Sequence, residues 1–353
     1  MKEASSFFSQ TYQARKIVVV DFGFLGDTVH LIPALWDLQS NYPEAELHVV
    51  TTEVGGEVLK MAPCVQKVWT YKLTNPSPPW YKSLGLVWQL RKEKFDALFN
   101  FSGADRTVYL GAALGVKNKL TQRTHRWHFY NPLLSRYWAP EHNSEDTRSV
   151  YQLRRQMLRA GGLHLGLDRF ELRIPEEIYT EVSEWICEGA IHLSPNTSSF
   201  FKEWPVNRWA ELIRLISARC PSEVMLMSCS GAEREQERVN AIVSKANCSQ
   251  LKLLPPGMKI LQLAAVISRC KLHIGGDSGP LHLAWALKVP TITICRNYSD
   301  MEQWMPKGKE HERLTCKCYC MNTANPECVL RKESLCLSDI SAEKVFEVLM
   351  KKI

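Results

Sequence analysis

The chain has 353 residues, of which 45% are hydrophobic and 23% are charged. This composition is close to the globular average and excludes a largely disordered, collagen-like or low-complexity chain. The 44 basic residues exceed the 37 acidic ones and leave a formal charge of +7. That surplus suits a partner bearing phosphate or carboxylate, but it is too weak for a dedicated nucleic-acid binder.

The first half of the chain alternates between two hydrophobic patterns. Short β-branched runs predict strands, and segments with apolar residues three or four positions apart predict helices. The predicted strands are 16–21, 46–52, 67–73 and 96–102, and the predicted helices are 28–43, 83–94, 107–115 and 147–161. The segment 118–146 has no clear period, and we expect a loop-rich excursion there.

The same alternation starts again after Pro175. The predicted strands are 189–196, 223–229, 251–255, 272–277 and 290–295, and the predicted helices are 208–219, 233–245, 259–268, 279–287 and 340–351. Strands that alternate with helices indicate parallel sheets. At a typical length of ~100–200 residues per domain, we expect two Rossmann-like α/β domains, residues 1–175 and 176–353.

No apolar run is long enough for a signal peptide or a transmembrane helix, so we expect a cytoplasmic protein with reduced thiols. Seven of the twelve cysteines are scattered through predicted strands and helices, where buried thiols commonly fill the core. These seven are Cys64, Cys187, Cys220, Cys229, Cys248, Cys270 and Cys295.

The loop after the first strand ends in Gly26-Asp27, where the next helix begins. It lacks the spacing of glycines that binds dinucleotides, which argues against an oxidoreductase. Asp27 either caps the helix or serves as a general base for a substrate hydroxyl, and the local sequence leaves both open.

Two further strand ends carry polar loops in the second half. Ser194 to Ser199, followed by Lys202, offers hydroxyls, backbone N–H groups and a cation, as a phosphate cradle or as a solvated loop. Glu233 and Glu235 lie at the start of a predicted helix. They either bind the hydroxyls of a ribose or are simply acids stabilised by the helix dipole.

The strongest loop runs from Gly275 to Ala284, with the sequence GGDSGPLHLA. An apolar strand leads into small residues and an acid, and Pro280 suits the first turn of the following helix. The N–H groups of Ser278 and Gly279, together with the helix dipole, predict a diphosphate site that His282 could also face.

These motifs, in this order, resemble glycosyltransferase family 9, the lipopolysaccharide heptosyltransferases. The resemblance covers nearly the whole chain, and the Asp-Ser-Gly-Pro-x-His stretch is its most specific part. The segments that carry it are 26–30, 33–35, 202–205, 208–209, 230–233, 276–282 and 286–291.

The resemblance implies a GT-B fold, in which two Rossmann-like domains face each other across a cleft. It implies an inverting, metal-independent transfer of a sugar, usually from ADP-heptose, with the acceptor on the N-terminal domain and no cofactor. Asp27 would be the general base, and Lys202 would also neutralise the departing nucleotide. The expected donor-binding residues are Thr197, Ser198, Lys202, Glu233, Glu235, Met258, Asp277, Ser278, Gly279 and His282.

The acceptor implied by the family is an anionic, lipid-anchored core sugar at the inner leaflet of a bacterial membrane, which implies peripheral membrane contact and no nucleic acid. Arg106, Arg123 and Arg126 lie in the half where an acceptor would bind. Their alternative interpretation is a solvated basic loop.

Two departures from the family leave the donor open. Cys295-Arg296-Asn297-Tyr298 replaces the usual turn after the last strand, and Phe22 and Phe24 precede Asp27. Another nucleotide-sugar, or a protein acceptor, is therefore an alternative, as is a degenerate member that only binds a partner. Retention of Asp27, Lys202 and Asp277 argues against the last.

The other five cysteines crowd into the tail 316–336 of the second domain. They are Cys316, Cys318, Cys320, Cys328 and Cys336. A structural Zn or Fe site and unbound thiols both remain open, and we favour thiols because the spacing is not that of a standard zinc ribbon.

Overall fold

A computed structural model describes residues 7–72, 84–123, 134–135, 137–139, 148–297, 301–316, 326–331 and 333–353. The chain divides into two compact units, Met1–Arg173 and Ile174–Ile353, here called unit 1 and unit 2. Each unit has its own parallel sheet with helices on both faces.

Unit 1 is built on a six-stranded sheet within the described residues. Its strands are β1 (Lys16–Val20), β2 (Glu46–Thr51), β3 (Lys67–Thr70), β4 (Ala97–Asn100), β5 (Asn118–Gln122) and β6 (Tyr137–Ala139). They lie in the order β3-β2-β1-β4-β5-β6 and pair in parallel throughout. The chain leaves β1 to one side for β2 and later returns to the other side for β4, so β1 lies at the switch point where such sheets bind ligands.

The side chains of β1 alternate between two cores, because successive residues of a strand point to opposite faces. The helices of unit 1 are α1 (Phe8–Thr11), α2 (Leu25–Asn41), α3 (Glu53–Leu59), α4 (Leu84–Lys92), α5 (Asp105–Ala113) and α6 (Val150–Ala160). Ile17 and Val19 pack with residues of α2 and α6, while Val18 and Val20 pack with residues of α4 and α5.

Unit 2 repeats this plan in its described residues. Its strands are β7 (Ile191–Ser194), β8 (Met225–Met227), β9 (Leu251–Leu253), β10 (Leu272–Gly275), β11 (Thr291–Arg296) and β12 (His311–Cys316). They lie in the order β12-β11-β10-β7-β8-β9. The helices are α7 (Glu176–Glu181), α8 (Val206–Arg219), α9 (Glu233–Ala246), α10 (Ile260–Ser268), α11 (Gly279–Ala286), α12 (Met301–Trp304), α13 (Pro326–Arg331) and α14 (Ala342–Leu349). Short 3-10 helices lie at Ser183–Trp185, Phe200–Lys202 and Leu335–Asp339.

The two faces of the second sheet differ in polarity. One face packs apolar side chains of β7, β10 and β11, such as Leu193 and Ile274, against α8, α9 and α14. The other face carries His192 on β7 and His273 on β10, both fully buried. Their Nδ1 atoms lie 2.8 Å apart and form a hydrogen bond in the interior. His192 Nε2 also lies 3.0 Å from the hydroxyl oxygen of Ser228.

The structure corrects the sequence interpretation at three strands. The predicted loop-rich excursion 118–146 contains β5 and β6, and β12 was not predicted at all. Both β5 and β12 are rich in polar residues, and β12 lies at the edge of its sheet with a half-exposed face. Hydrogen bonding to a neighbouring strand stabilises such segments without a strong hydrophobic pattern.

The scattered cysteines follow the core prediction in part. Cys64, Cys270 and Cys295 are buried. The other four are half-buried, so for them the prediction of a core position is too strong; they are Cys187, Cys220, Cys229 and Cys248. Among the helices of the described ranges, none combines the length and apolar character needed to cross a bilayer.

Candidate functional site

The first candidate residue, Asp27, lies in the opening turn of α2, just past the carboxyl end of β1. Its Oδ2 accepts a hydrogen bond from the backbone N–H of Phe24 at 3.0 Å, so Asp27 does cap the helix. Its side chain is nevertheless 28% exposed. The capping and functional interpretations are therefore compatible, because a solvent-accessible lone pair is left beside the cap.

Arg154 on α6 lies between Asp27 and a second carboxylate, Asp21. Its Nη1 lies 3.0 Å from Asp21 Oδ2, and its Nη2 lies 3.5 Å from Asp27 Oδ1. Asp21 directly follows β1 and is almost completely buried. Burial raises the pKa of Asp21 above its usual range, against the opposing charge of Arg154. Sequence reasoning missed both Asp21 and Arg154.

Gly23 explains how the two carboxylates come so close to the backbone. A Cβ at this position would lie 2.2 Å from Asp27 Cβ and 3.2 Å from Asp21 Oδ2. Any other residue would push the carboxylates apart, so the glycine is a steric requirement of this arrangement.

The predicted acceptor-binding arginines lie at the same edge of the first sheet. Arg106 is in the first turn of α5, which follows β4, and Arg123 directly follows β5. Since all these strands are parallel, their carboxyl ends share the edge that carries Asp27. Arg126 lies outside the described residues.

In unit 2 the loops after β7 and β10 lie in contact. The two strands pair so that Ser194 is opposite Gly275. A Cβ at Gly276 would lie 2.9 Å from Thr197 Cγ2 and 3.3 Å from the carbonyl oxygen of Lys202. The two loops that were singled out separately in the sequence therefore form one surface.

Lys202, Asp277 and His282 meet on that surface. Lys202 Nζ lies 2.7 Å from Asp277 Oδ2, and His282 Nε2 lies 3.7 Å from Asp277 Oδ1. Burial opposes the charged form of Asp277. The hydrogen bond from His282 and the charges of Lys202 and His282 outweigh this and hold the pKa of Asp277 well below its usual range. The carboxylate therefore stays ionised next to its two partners.

The amino terminus of α11 adds a polarised set of backbone groups. The helix starts at Gly279, with Ser278 as its N-cap and Pro280 in the first turn. Ser278 Oγ, Ser194 Oγ and both amide atoms of Asn196 are buried without a hydrogen-bond partner among the described residues. Such unpaired polar atoms are uncommon, and they have hydrogen-bonding capacity for a ligand or water.

Hydrogen bonds with Glu203 and Arg234 hold the loop that contains Thr197. The Thr197 N–H donates to Glu203 at 3.1 Å, and Arg234 on α9 donates to Glu203 at 2.8 Å and to the Thr197 carbonyl at 2.7 Å. The Thr197 hydroxyl donates to the carbonyl of Ser199 at 2.7 Å, whereas Ser198 is exposed. Glu203 and Arg234 were missed because nothing in the local sequence links them to the loop.

The two predicted ribose-binding acids differ in their surroundings. Glu233 is exposed at the start of α9, while Glu235 accepts a hydrogen bond from the Ser230 N–H at 2.9 Å. Gly231, with φ of +89°, packs against Gly257 so closely that a Cβ there would lie 3.0 Å from the Gly257 nitrogen. Half-buried Met258 follows Gly257 directly, so the Glu235 loop and Met258 are neighbours.

The tail cysteines lie apart from these loops in the chain. Cys316 and Cys328 are buried and Cys336 is half-buried, while Cys318 and Cys320 lie outside the described residues. Within the described ranges, no three or more His, Cys, Asp or Glu side chains form a group that could hold a metal ion. The Zn or Fe interpretation stays a prediction.

Comparison with known proteins decides the family. Residues 84–333 match glycosyltransferase family 9 (heptosyltransferase). The chain belongs to glycosyltransferase family 9. Lipopolysaccharide heptosyltransferase 1 of Escherichia coli K12 is 24% identical over 330 residues, which cover 90% of this chain and 99% of that protein.

Solved structures agree with this assignment at the level of fold. A family 9 glycosyltransferase from Veillonella parvula superposes with a TM-score of 0.78 at 19% identity, covering 96% of this chain and 97% of that one. The E. coli ADP-heptose lipopolysaccharide heptosyltransferase II gives a TM-score of 0.75 at 18% identity, with coverage of 95% and 98%. The predicted family and the α/β GT-B fold class are thus confirmed, and the protein is a glycosyltransferase.

Proposed function

We propose that this family 9 glycosyltransferase moves a heptose from ADP-heptose to a hydroxyl group of a lipopolysaccharide-core or related glycan. Unit 1 binds the acceptor and unit 2 binds the nucleotide-sugar. The names of the similar proteins from E. coli support this donor and this acceptor class. The reaction takes place at the cytoplasmic side of the membrane, with peripheral contact between the protein and the inner leaflet.

The observation that carries the proposal is the meeting of Lys202, Asp277 and His282 beside the amino terminus of α11. A lysine and a helix amino terminus attract phosphate oxygens, and a buried carboxylate accepts hydrogen bonds from sugar hydroxyls. The orphaned polar atoms of Asn196 and Ser278 lie in the same loops and supply further hydrogen-bonding capacity.

On the donor side, the diphosphate lies against α11 and Lys202. As the bond between the anomeric carbon and the phosphate oxygen breaks, negative charge grows on the departing ADP. Lys202 and the N–H groups of Ser278 and Gly279 stabilise that charge, with Thr197 and Ser198 in the adjoining loop. Asp277 holds the sugar hydroxyls, and His282 keeps Asp277 ionised.

On the acceptor side, Asp27 accepts the proton of the attacking hydroxyl. The acceptor oxygen forms a new bond to the anomeric carbon on the face opposite the departing ADP, so the configuration at that carbon inverts. Asp27 suits this task because its carboxylate is fixed by the Phe24 N–H yet partly exposed. In this proposed reaction, protein groups stabilise the negative charge on the departing ADP, and no metal ion takes part.

The remaining predicted residues bind the ends of the two substrates. Glu235, or Glu233 beside it, takes the ribose hydroxyls, and Met258 packs against the base. Arg106 and Arg123, with Arg126, bind the anionic groups of the acceptor.

A second candidate is the same reaction with another nucleotide-sugar or with a protein acceptor. The observation that favours it is Phe24, whose side chain is 82% exposed immediately before α2. An aromatic ring next to the candidate base presents an apolar surface to an acceptor, and aromatic side chains often form such recognition surfaces.

A panel of donors tests both candidates. The purified protein is incubated with ADP-heptose, other ADP-sugars and UDP-sugars, with a heptose-deficient core oligosaccharide as the acceptor, and products are identified by mass spectrometry. We expect a product one heptose heavier only with ADP-heptose, and unchanged turnover in EDTA. Transfer from a different donor supports the second candidate. No transfer by folded protein from any donor to this acceptor contradicts the first candidate and leaves only the protein acceptor of the second.

A further inference from the structure

Three charged side chains of unit 1 form a row of decreasing burial. The side chain of Asp21 is 2% exposed, that of Arg154 is 12% exposed and that of Asp27 is 28% exposed. Arg154 in the middle lies closer to Asp21, at 3.0 Å, than to Asp27, at 3.5 Å. Asp27 is thus the more accessible of the two carboxylates and the one that interacts more weakly with Arg154.

We infer that Asp21 and Arg154 are positioning residues that set the proton affinity of Asp27. Asp21 holds the guanidinium and limits its pull on Asp27, while Arg154 keeps the two carboxylates from repelling each other. This inference rests on the proposed role of Asp27 as the general base, and it concerns how that base stays effective.

The charges of Asp21, Arg154 and Asp27 act on one another over short distances. An arginine that paired with Asp27 alone would lower the proton affinity of that carboxylate by ~1–3 pKa units and weaken it as a base. Two carboxylates without the arginine would repel and raise it. The charge of Arg154 opposes the effect of burial on Asp21. With both carboxylates ionised around one guanidinium, the net charge is −1, and removal of either Asp21 or Arg154 changes the electrostatic potential at Asp27.

The neighbouring elements do not upset this balance. On α6, Arg155 is engaged by Asp37 and Asp168, so its charge is matched. Glu53 opens α3 as an exposed residue, where water screens it. On α2 itself, His30 is buried and stacks on Tyr151.

Two substitutions should move the proton affinity of Asp27 in opposite directions. Asp21→Asn is nearly isosteric; it removes the competing charge and leaves Arg154 to Asp27. We expect the acidic limb of kcat/KM to move down by about one pH unit, with a plateau kcat less than about tenfold lower. Arg154→Gln should move the limb up by a similar amount, and Arg154→Lys should leave it near its original position.

The double variant Asp21→Asn/Arg154→Gln is a check on the signs seen in the single variants. It removes one negative and one positive charge together, so the acidic limb should return to within about half a pH unit of the wild-type position. Additive behaviour of independent sites also predicts cancellation of the shifts, so the single variants must first show their opposite signs. Loss of a merely structural contact would lower stability without moving the limb in either direction.

A direct titration separates this inference from the proposed function. The protein is labelled with carboxyl-13C aspartate, and the Asp27 resonance is assigned with Asp27→Asn. Its titration midpoint should fall in Asp21→Asn and rise in Arg154→Gln, whether or not the chosen sugar donor is turned over.

Matched controls lie at the opposite end of β1. Arg15 and Glu44 form an exposed pair at 3.1 Å, and six residues of extended chain place Arg15 ~20 Å from Asp21. Arg15→Gln and Glu44→Gln change the net charge equally and should shift the Asp27 midpoint by less than about 0.2 units. Shifts of the same sign in Asp21→Asn and Arg154→Gln, or no shift beyond these controls, overturn the inference.

Discussion

The two candidate sites distribute charge in opposite ways. In unit 1 one cation, Arg154, lies between the carboxylates of Asp21 and Asp27. In unit 2 one carboxylate, Asp277, lies between Lys202 and His282. In unit 1 the two carboxylates outnumber the cation, which suits a site that accepts a proton. In unit 2 the basic groups outnumber the carboxylate, which suits a site that binds an anion.

This contrast matches the two halves of a glycosyl transfer. The acceptor hydroxyl must lose a proton, and the departing nucleotide gains negative charge. Each unit places its charged trio at the carboxyl edge of a parallel sheet, next to the start of a helix. In the proposed function, the same architecture supports both tasks, and the side chains in the loops determine which task each unit performs.

Substitution of Asp27 is expected to have the largest effect. Asp27→Asn keeps the shape but cannot accept the proton, so kcat should fall by about 10²–10⁴-fold while ADP binding changes little. Steady-state rates and calorimetric ADP titrations measure the two quantities. Glu44→Gln, an exposed acid in the same unit, serves as the control. Wild-type turnover of Asp27→Asn would show that the base lies elsewhere.

Substitution of Lys202 should be next in size and should act on the nucleotide. Lys202→Ala removes the cation paired with Asp277, so we expect kcat to fall by about 10²–10³-fold and ADP affinity to weaken as well. Lys252→Ala, on an exposed position of β9, is the matched control. If ADP affinity is unchanged in Lys202→Ala, the contrast between the two units loses its donor side.

The sequence predicted the local parts of these sites better than their long-range parts. Asp27 and Asp277 each lie in a loop directly after an apolar strand, and parallel topology places such loops at the ligand-binding edge. Arg154 is 127 residues away from Asp27, and only the packing of α6 against α2 brings them together. No local pattern carries that information.

The fold shows the same division. Buried strands such as β1 and β10 consist largely of β-branched and aliphatic residues, and the sequence pattern predicted them. The polar strands β5 and β12 were not, because their stability comes from pairing with β4 and β11. The brace formed by Glu203 and Arg234 was also missed, since it depends on the placement of α9 beside the loop after β7.

Acid stability offers a further contrast between the units. His192 and His273 in unit 2 are fully buried, and burial lowers the pKa of His192 to about 3 and the pKa of His273 well below its usual range. Both remain neutral in the folded state but bind protons on unfolding below about pH 6.5, so folding stability is greatest above that pH and falls as the pH drops towards 3. At pH 4.5 we expect a loss of roughly 2–3 kcal/mol per histidine.

The pH dependence of urea unfolding between pH 7 and 4.5 measures this loss. His273→Asn should make the slope of unfolding free energy against pH less steep, even though the variant is less stable at every pH. His164→Asn, which removes an exposed histidine of unit 1, should keep the wild-type slope. An unchanged slope in His273→Asn would mean that the buried pair does not control acid stability.

The smallest expected effect tests how the proposed donor-binding loop around Thr197 is held. Asp27 is fixed by the first turn of its own helix, whereas the Thr197 carbonyl is held at 2.7 Å by Arg234 from a distant helix. Arg234→Met should loosen that loop and raise the KM for the nucleotide-sugar by about two- to fivefold, with kcat nearly unchanged. Since Arg234 is half-exposed, stability should change by less than about 1 kcal/mol. Arg214→Met makes the same change on α8, where the arginine binds the Lys245 carbonyl, and should leave KM unaltered. An equal KM in both variants would show that the loop is ordered without its brace, so that the two units fix their catalytic loops in the same way.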